Sequence, residues 1–258
     1  MELGLKHRTA LVCAASAGLG YACATALARE GVAVTITGRD AVRLEDAASR
    51  LRALGAEVHT APGDITTETG RAAALAMCPA PDILINNAGG PPPGDFRDFS
   101  EADWLAALNA NLLTPIAMIR AVLDSMIAKK FGRIVNITSA SVKSPIAALP
   151  LSNTARTGLT GFSGGLSREA ARHNVTINNL LPGPFATDRQ TQIAQAEAQR
   201  SGITLDAALA ARAVGNPAQR YGQPEEFGAA CAFLCSAQAG YIVGQNILLD
   251  GGAFNSTM

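Results

Sequence analysis

Short apolar runs alternate with helical segments along almost the whole chain. Residues 9–13 (Thr-Ala-Leu-Val-Cys) form an apolar run without alternation, as expected of a strand covered on both faces. The Ala-rich segment after Gly20 reads as a helix that runs to Glu30 and is stopped by Gly31. Residues 33–37 form a second strand, so the first unit is βαβ, with parallel strands and a right-handed crossover. The rhythm then repeats. Asp40 caps a predicted helix over 41–54, ended by Gly55, and strand 57–61, helix 67–77 and strand 82–85 follow. Ser100 caps a long helix from Glu101 towards Lys130, with a bend expected at Pro115. Strand 133–138 is ended by Ser139, and Ser152 opens the next helix. Strands 176–181 and 246–249 complete the series, and Pro224 starts the helix between them. The alternation predicts an α/β fold. One doubly wound, mainly parallel sheet is expected over 1–258, as a single domain with helices on both faces.

The segment 185–219 breaks the rhythm. It is long, rich in Ala and Gln, and contains no strand pattern. It follows a strand at the sheet end where ligands bind, which makes it a candidate substrate lid. Its Ile193, Ile203, Leu205 and Leu209 suit either a hydrophobic substrate or a subunit interface.

Composition narrows the class. Hydrophobic residues make up 48% and charged residues 16%, more apolar than a lone soluble surface requires, so a homo-oligomer is expected. Formal net charge is zero, which leaves no basic field for nucleic acid or an anionic membrane. No unbroken apolar run approaches the roughly 18–20 residues of a membrane span, and the first residues lack the apolar core of a signal peptide. The five cysteines are scattered and the three histidines form no cluster, so no metal is expected and a reducing cytoplasm fits.

Two stretches carry candidate chemistry. Ala14-Ala15-Ser16-Ala17-Gly18-Leu19-Gly20 leads from the first strand into a helix N-terminus. Its backbone N–H groups and the positive dipole end can receive a dinucleotide pyrophosphate. At the end of the second strand stands Thr37-Gly38-Arg39, with no acid before Asp40. An acid there would hold a ribose 2′-hydroxyl; Arg39 can instead fork onto a 2′-phosphate, so NADP(H) is favoured over NAD(H). The second stretch is 132–165, where Ser139, Ser152 and Arg156 bring two hydroxyls and a cation to one end of a strand and the adjoining helix.

The Gly turn through Gly20, Asp64, Asn86-Asn87-Ala88-Gly89, Asn111, Ser139, Pro182-Gly183 with Thr187, and the ending Ile247-Leu248-Leu249-Asp250-Gly251-Gly252 form one set. By them the chain resembles the short-chain dehydrogenase/reductase family, and within it the 3-oxoacyl-carrier-protein-reductase-like group. The resemblance implies a Rossmann domain, a small-molecule substrate and a homotetramer formed through the long helices, with a homodimer as the alternative. It implies a cofactor site of Ala14, Ser16, Ala17, Gly18, Leu19, Gly20, Arg39, Asp64, Ile65, Asn87, Ala88, Gly89, Arg156, Pro182, Gly183 and Thr187. It implies a catalytic group built on Asn111 and Ser139.

The sequence departs from that pattern twice. Ala14 stands where the family has its first glycine; negative φ would make it tolerable, whereas a left-handed conformation costs roughly 1–2 kcal/mol. A slightly different turn is therefore expected. More seriously, the family's tyrosine and lysine fall on Ser152 and Arg156, and Tyr21, Tyr221 and Tyr241 all lie far from this helix in sequence. A serine is a far weaker acid than a tyrosine, and Arg156 is expected to stay charged. General-acid catalysis is worth about 10²–10⁴ in rate, so its loss cripples a reductase without abolishing positioning and electrostatics. Lys143, partly desolvated beside Arg156, is a candidate substitute donor, as are Ser139 and a water held by Ser152 and Asn111. The leading expectation is an NADP(H)-dependent oxidoreductase on a carbonyl/alcohol pair with an altered proton donor. The alternatives are a non-catalytic nucleotide-binding or regulatory protein, and a non-redox lyase or isomerase on the same scaffold.

Overall fold

A computed structural model describes residues 2–256. Seven parallel strands form one sheet: β1 (Thr9–Val12), β2 (Ala33–Gly38), β3 (Val58–Pro62), β4 (Ile83–Asn86), β5 (Gly132–Ile137), β6 (Val175–Pro182) and β7 (Asn246–Leu249). Their order is β3-β2-β1-β4-β5-β6-β7. The order reverses between β1 and β4, and a crevice opens there beyond the strands' C-terminal ends.

Helices cover both faces. On one lie α1 (Gly18–Arg29), α2 (Ala41–Arg52) and α9 (Pro224–Cys235), whose Leu27, Leu44, Leu51 and Phe227 are buried against Val34, Ile36 and Ile85. On the other, α3 (Glu68–Met77), α5 (Thr114–Lys129) and α6 (Pro150–Ala170) close over Leu11, Leu84, Ile134 and Ile177. Buried strands explain the unalternating runs. Local chemistry sets the helix starts: the Asp40 carboxylate accepts from the N–H groups of Val42 and Arg43, and Ser100 with Asp103 forms a capping box for α4 (Glu101–Leu108). Helix α6 begins at Pro150 rather than Ser152, since proline lacks the N–H that a first-turn residue leaves unpaired.

The expected bend at Pro115 takes a different form. Residues Asn109–Leu113 form a π-helical turn between α4 and α5, just before Pro115. The missing proline N–H removes a helical bond, and the widened turn absorbs the loss. The combined helix Glu101–Lys129 is long and apolar enough to span a membrane by length and composition, although no unbroken apolar run is. Its Met118, Ile119, Val122 and Met126 are buried in the core, while Leu105 and Leu113 are exposed.

A row of asparagines crosses the sheet. Asn86, Asn136, Asn179 and Asn246 occupy paired positions on β4, β5, β6 and β7. Their side-chain amides bond in series: Asn86 Nδ2 to Asn136 Oδ1 at 2.9 Å, Asn136 Nδ2 to Asn179 Oδ1 at 2.9 Å, and Asn179 Nδ2 to Asn246 Oδ1 at 2.8 Å. Asn136 Nδ2 also reaches Ser163 Oγ on α6 at 3.0 Å, which ties that helix to the ladder. Buried amides satisfied in this way specify register, because a slipped strand would strand each of them.

The segment after β6 forms two helices, α7 (Asp188–Ser201) and α8 (Leu205–Val214). They share a small core of Ala194, Ala198 and Ala208, with Leu205 and Leu209 packed on it. Ile203 is exposed, and Ile193 alone of the four apolar residues singled out in this segment lines the cavity below.

Candidate functional site

The turn after β1 sits at the crevice. Ala14 adopts φ +47°, so of the two conformations considered it takes the left-handed one and incurs its cost. The conformation is held from two sides: Ala14 N donates to Thr37 Oγ1 at 3.0 Å, and its carbonyl accepts from Asn87 Nδ2 at 3.0 Å. Gly20 is required by this closeness, because a Cβ there would lie 2.6 Å from the Ala14 carbonyl oxygen. Helix α1 starts without a side-chain cap at Ala17 and without an acid in its first turn. Its N-terminal N–H groups and dipole are thus left without a side-chain acceptor from the helix itself, which fits a phosphate.

At the end of β2, Arg39 is exposed and Asp40 faces its own helix as a cap. Arg43 follows in the first turn of α2, its guanidinium 3.9 Å from the Asp188 carboxylate. Sequence reasoning passed over Arg43, although an arginine three residues past an N-cap must sit in the first helical turn. Asp64 accepts from the Thr66 N–H and hydroxyl at 2.9 and 2.8 Å, and the backbone bond, with help from Arg39, holds its carboxyl below the usual carboxylate range. Ile65 is buried beside it. Ala88 and Gly89 follow β4, and a Cβ at Gly89 would meet open space. Gly183 passes so close to β7 that a Cβ would lie 2.7 Å from Asp250 Cα. Thr187 turns towards the Gly18 turn: its Cγ2 is 3.9 Å from where a Gly18 Cβ would be. These residues follow the C-terminal ends of β1 to β4 and of β6.

The second stretch comes together at the end of β5. Ser139 caps a short 3₁₀ turn, its Oγ accepting from Ser141 N at 3.1 Å. Ser152 and Arg156 are one turn apart on α6, each only 8% exposed. Arg156 Nη1 donates to the carbonyl oxygens of Ile137, at 2.9 Å, and Thr138. Burial, with the charge of Arg189, pushes the Arg156 pKa down to about 10, so it remains a cation at neutral pH. Asn111 lies in the π turn, its Nδ2 donating to the carbonyls of Ala107 and Gly89 at 3.4 and 3.5 Å. Lys143 is not brought beside Arg156. It is exposed, with its ammonium 5.5 Å from the centre of the Phe254 ring.

A cavity of about 590 Å³ opens in front of Ser139. Its walls include Leu149 just before α6, Pro182 at the end of β6 and Gly183 after it, Ile193 of α7 and Phe254 of the C-terminal tail. Arg189 also lines it and donates from Nη1 to Gly90 O at 3.1 Å and from Nη2 to Pro91 O at 3.0 Å, joining α7 to the loop after β4. Sequence reasoning missed Arg189 and Phe254, because neither sits in a motif and only folding brings them to Ser139. Among the described residues no His/Cys/Asp/Glu group is placed to hold a metal ion.

A seven-stranded parallel sheet with helices on both faces and a glycine turn at its switch point defines a Rossmann-like α/β protein. The chain belongs to the short-chain dehydrogenase family, whose pattern residues 8–198 match. It is 33% identical over 258 residues to the NADPH-dependent reductase BacG of Bacillus subtilis, covering 98% of this chain and 100% of that one. It is 31% identical over 259 residues to the 3-oxoacyl-[acyl-carrier-protein] reductase FabG of Aquifex aeolicus, covering 98% and 100%. Among solved structures, the L-sorbose reductase of Gluconobacter frateurii complexed with NADPH and L-sorbose superposes with TM-score 0.94 at 27% identity, over 99% of this chain and 100% of that one.

Proposed function

We propose that this protein is an NADPH-dependent oxidoreductase acting on a carbonyl/alcohol pair, with a proton donor other than tyrosine. The observation that carries the reading is the placement of Ser139 and the buried cation Arg156 at one strand end, beside a cavity of about 590 Å³. The relatives named as NADPH-dependent reductases support the cofactor. So do Arg39 and Arg43 beside a capping Asp40, which leave cations and no free acid for the ribose 2′ position.

Bound NADPH supplies the hydride. The rest falls to the chain. Ser139 Oγ accepts from Ser141 N, so its own hydrogen is available to a substrate oxygen. Arg156 places a positive charge behind that oxygen in a low-dielectric setting, where a fixed cation stabilises developing negative charge more than in water. Arg156 holds its proton at neutral pH, so the proton comes from Ser139 or from a water held near Ser152 and Asn111; Lys143 stands aside against Phe254. The pair α7–α8 acts as the substrate lid. Exposed Leu105 and Leu113 on the long helix, and open space around Gly161, Gly164 and Gly165 on α6, support association of copies through these helices.

A binding protein without turnover is the second reading, supported by Arg156 Nη1 being engaged with the β5 carbonyls. Titrating NADPH and NADH by fluorescence, then following a panel of ketones and alcohols at 340 nm, separates the readings. NADPH binding with slow turnover supports the oxidoreductase. Binding without turnover supports the second reading, and binding of neither cofactor sinks both.

A further inference from the structure

The cavity wall carries cations that the chain itself does not neutralise. Three arginines line it, Arg189, Arg200 and Arg212, against two carboxylates, Glu197 and Asp250. Glu197 pairs with Arg212 Nη1 at 3.0 Å, and Asp250, held by the N–H groups of Gly252 and Phe254 at 2.9 and 2.7 Å, leaves one carboxylate charge against the two cations Arg189 and Arg200. Arg189 meets only the carbonyls of Gly90 and Pro91, which hold its guanidinium in place and leave its charge uncompensated. Behind Ser139 lies Arg156, also bonded only to carbonyls. Arg189 on the cavity wall has no carboxylate partner, and burial makes an uncompensated charge costly. The Arg189 charge contributes to holding the Arg156 pKa down, so the two cations sense each other. An anion bound in the cavity against Arg189 would offset that burial cost.

The phosphates of a dinucleotide are not well placed to serve. The residue that reaches the Gly18 turn is Thr187, whereas Arg189 turns to Gly90 and faces the Ser139 cavity. The bonds to Gly90 and Pro91 use one N–H of each Arg189 Nη, so one N–H on each and the Nε–H remain, enough for the two oxygens of a carboxylate.

We propose that the cavity takes a carboxylate-bearing carbonyl compound, whose carboxylate is held by Arg189 while its carbonyl oxygen faces Ser139. This rests on the oxidoreductase reading and adds the substrate class to it. Arg189 is then a specificity-determining residue, and it ties the lid helix to the anion it selects.

The test uses matched probes. NADPH-loaded protein is titrated with 2-oxopentanoate, 3-oxobutanoate and 4-oxopentanoate, and with the methyl ester of each, following both NADPH fluorescence and its oxidation at 340 nm. At least one acid is expected to bind about 10- to 100-fold more tightly than its ester. Arg189→Met abolishes that preference, Arg189→Lys keeps part of it, and the Kd for NADPH alone stays within about two-fold of wild type. Equal binding of every acid and its ester, or binding of none of the six, overturns the proposal. A preference for acids that survives Arg189→Met overturns it as well. If Arg189→Met weakens NADPH itself by ten-fold or more, the arginine serves the cofactor and the proposal fails. Turnover of neutral ketones with no preference for acids leaves the oxidoreductase reading standing while sinking this one. Absence of NADPH binding in the wild type sinks both.

Discussion

Arg156 donates from Nη1 to the carbonyl oxygen of Ile137 at 2.9 Å, and so carries a cation from the first turns of α6 to the last residue of β5. The contact joins the two elements that form the candidate site. It also sets two opposing terms against each other. Hydrogen bonds from a charged donor are worth about 1.5–3 kcal/mol each, while removing a buried, unpaired cation relieves its desolvation. Arg156→Met is therefore expected to change unfolding free energy by under about 1.5 kcal/mol, read by urea titration. The rate is expected to fall at least about 10²-fold, read at 340 nm. A large loss of stability with an unchanged rate would assign the guanidinium a purely structural role.

The Ser152 and Arg156 positions admit a second experiment. Ser152→Tyr with Arg156→Lys installs a phenol whose pKa of about 10 a neighbouring cation can lower. A wild type limited by its proton donor gains rate in the double variant, by up to about 10²–10⁴. A fall in rate shows that the native serine and arginine suit the reaction better than the installed pair.

Asn136 is wholly buried and holds Asn86, Asn179 and Ser163 at once. Asn136→Ala leaves several buried polar groups without partners, each costing about 1–3 kcal/mol. A loss of roughly 3–5 kcal/mol is expected from these unpaired groups in chemical denaturation. A change under about 1 kcal/mol would show that the ladder contributes register without stability.

Ala14 at φ +47° is strained, while Gly20 has no room for a side chain. Ala14→Gly removes about 1–2 kcal/mol of strain and returns about 0.4–1 kcal/mol through a freer unfolded chain. A net gain of about 0.5–1 kcal/mol follows from these two terms. Gly20→Ala is expected to cost more than about 2 kcal/mol, because backbone must move. Paired urea titrations of the two variants check both signs.

The Asp64 carboxyl is held below its ordinary value by the Thr66 N–H. A depressed folded pKa means that the contribution to stability is full above the unfolded value of about 3.9 and fades as pH falls through the folded one. The stability difference between wild type and Asp64→Ala is thus expected to be constant from pH 7 to about 5 and to shrink below about 4. A difference that grows on acidification contradicts this origin.

Much of this protein is legible in its sequence. The strands and most helix starts follow from local rules: Asp40, Thr67 and Ser100 cap because their side chains reach N–H groups two or three residues on, whatever lies elsewhere. The glycine turn and the absence of an acid before Asp40 are local too, and so is the four-residue spacing that puts Ser152 and Arg156 one turn apart on α6. What the chain's linear order does not contain is distance across the fold. Ala14 takes its left-handed turn because Thr37 and Asn87 grip it from neighbouring strands. The amide ladder through Asn136 exists because strand register places particular residues side by side. Lys143 looks close to Arg156 in sequence, yet its ammonium lies over the Phe254 ring, while Arg189 of α7 is brought to the cavity in front of Ser139. Local hydrogen bonding and periodicity determine the elements. Long-range packing decides which charges share a cavity, and only tertiary structure carries that information.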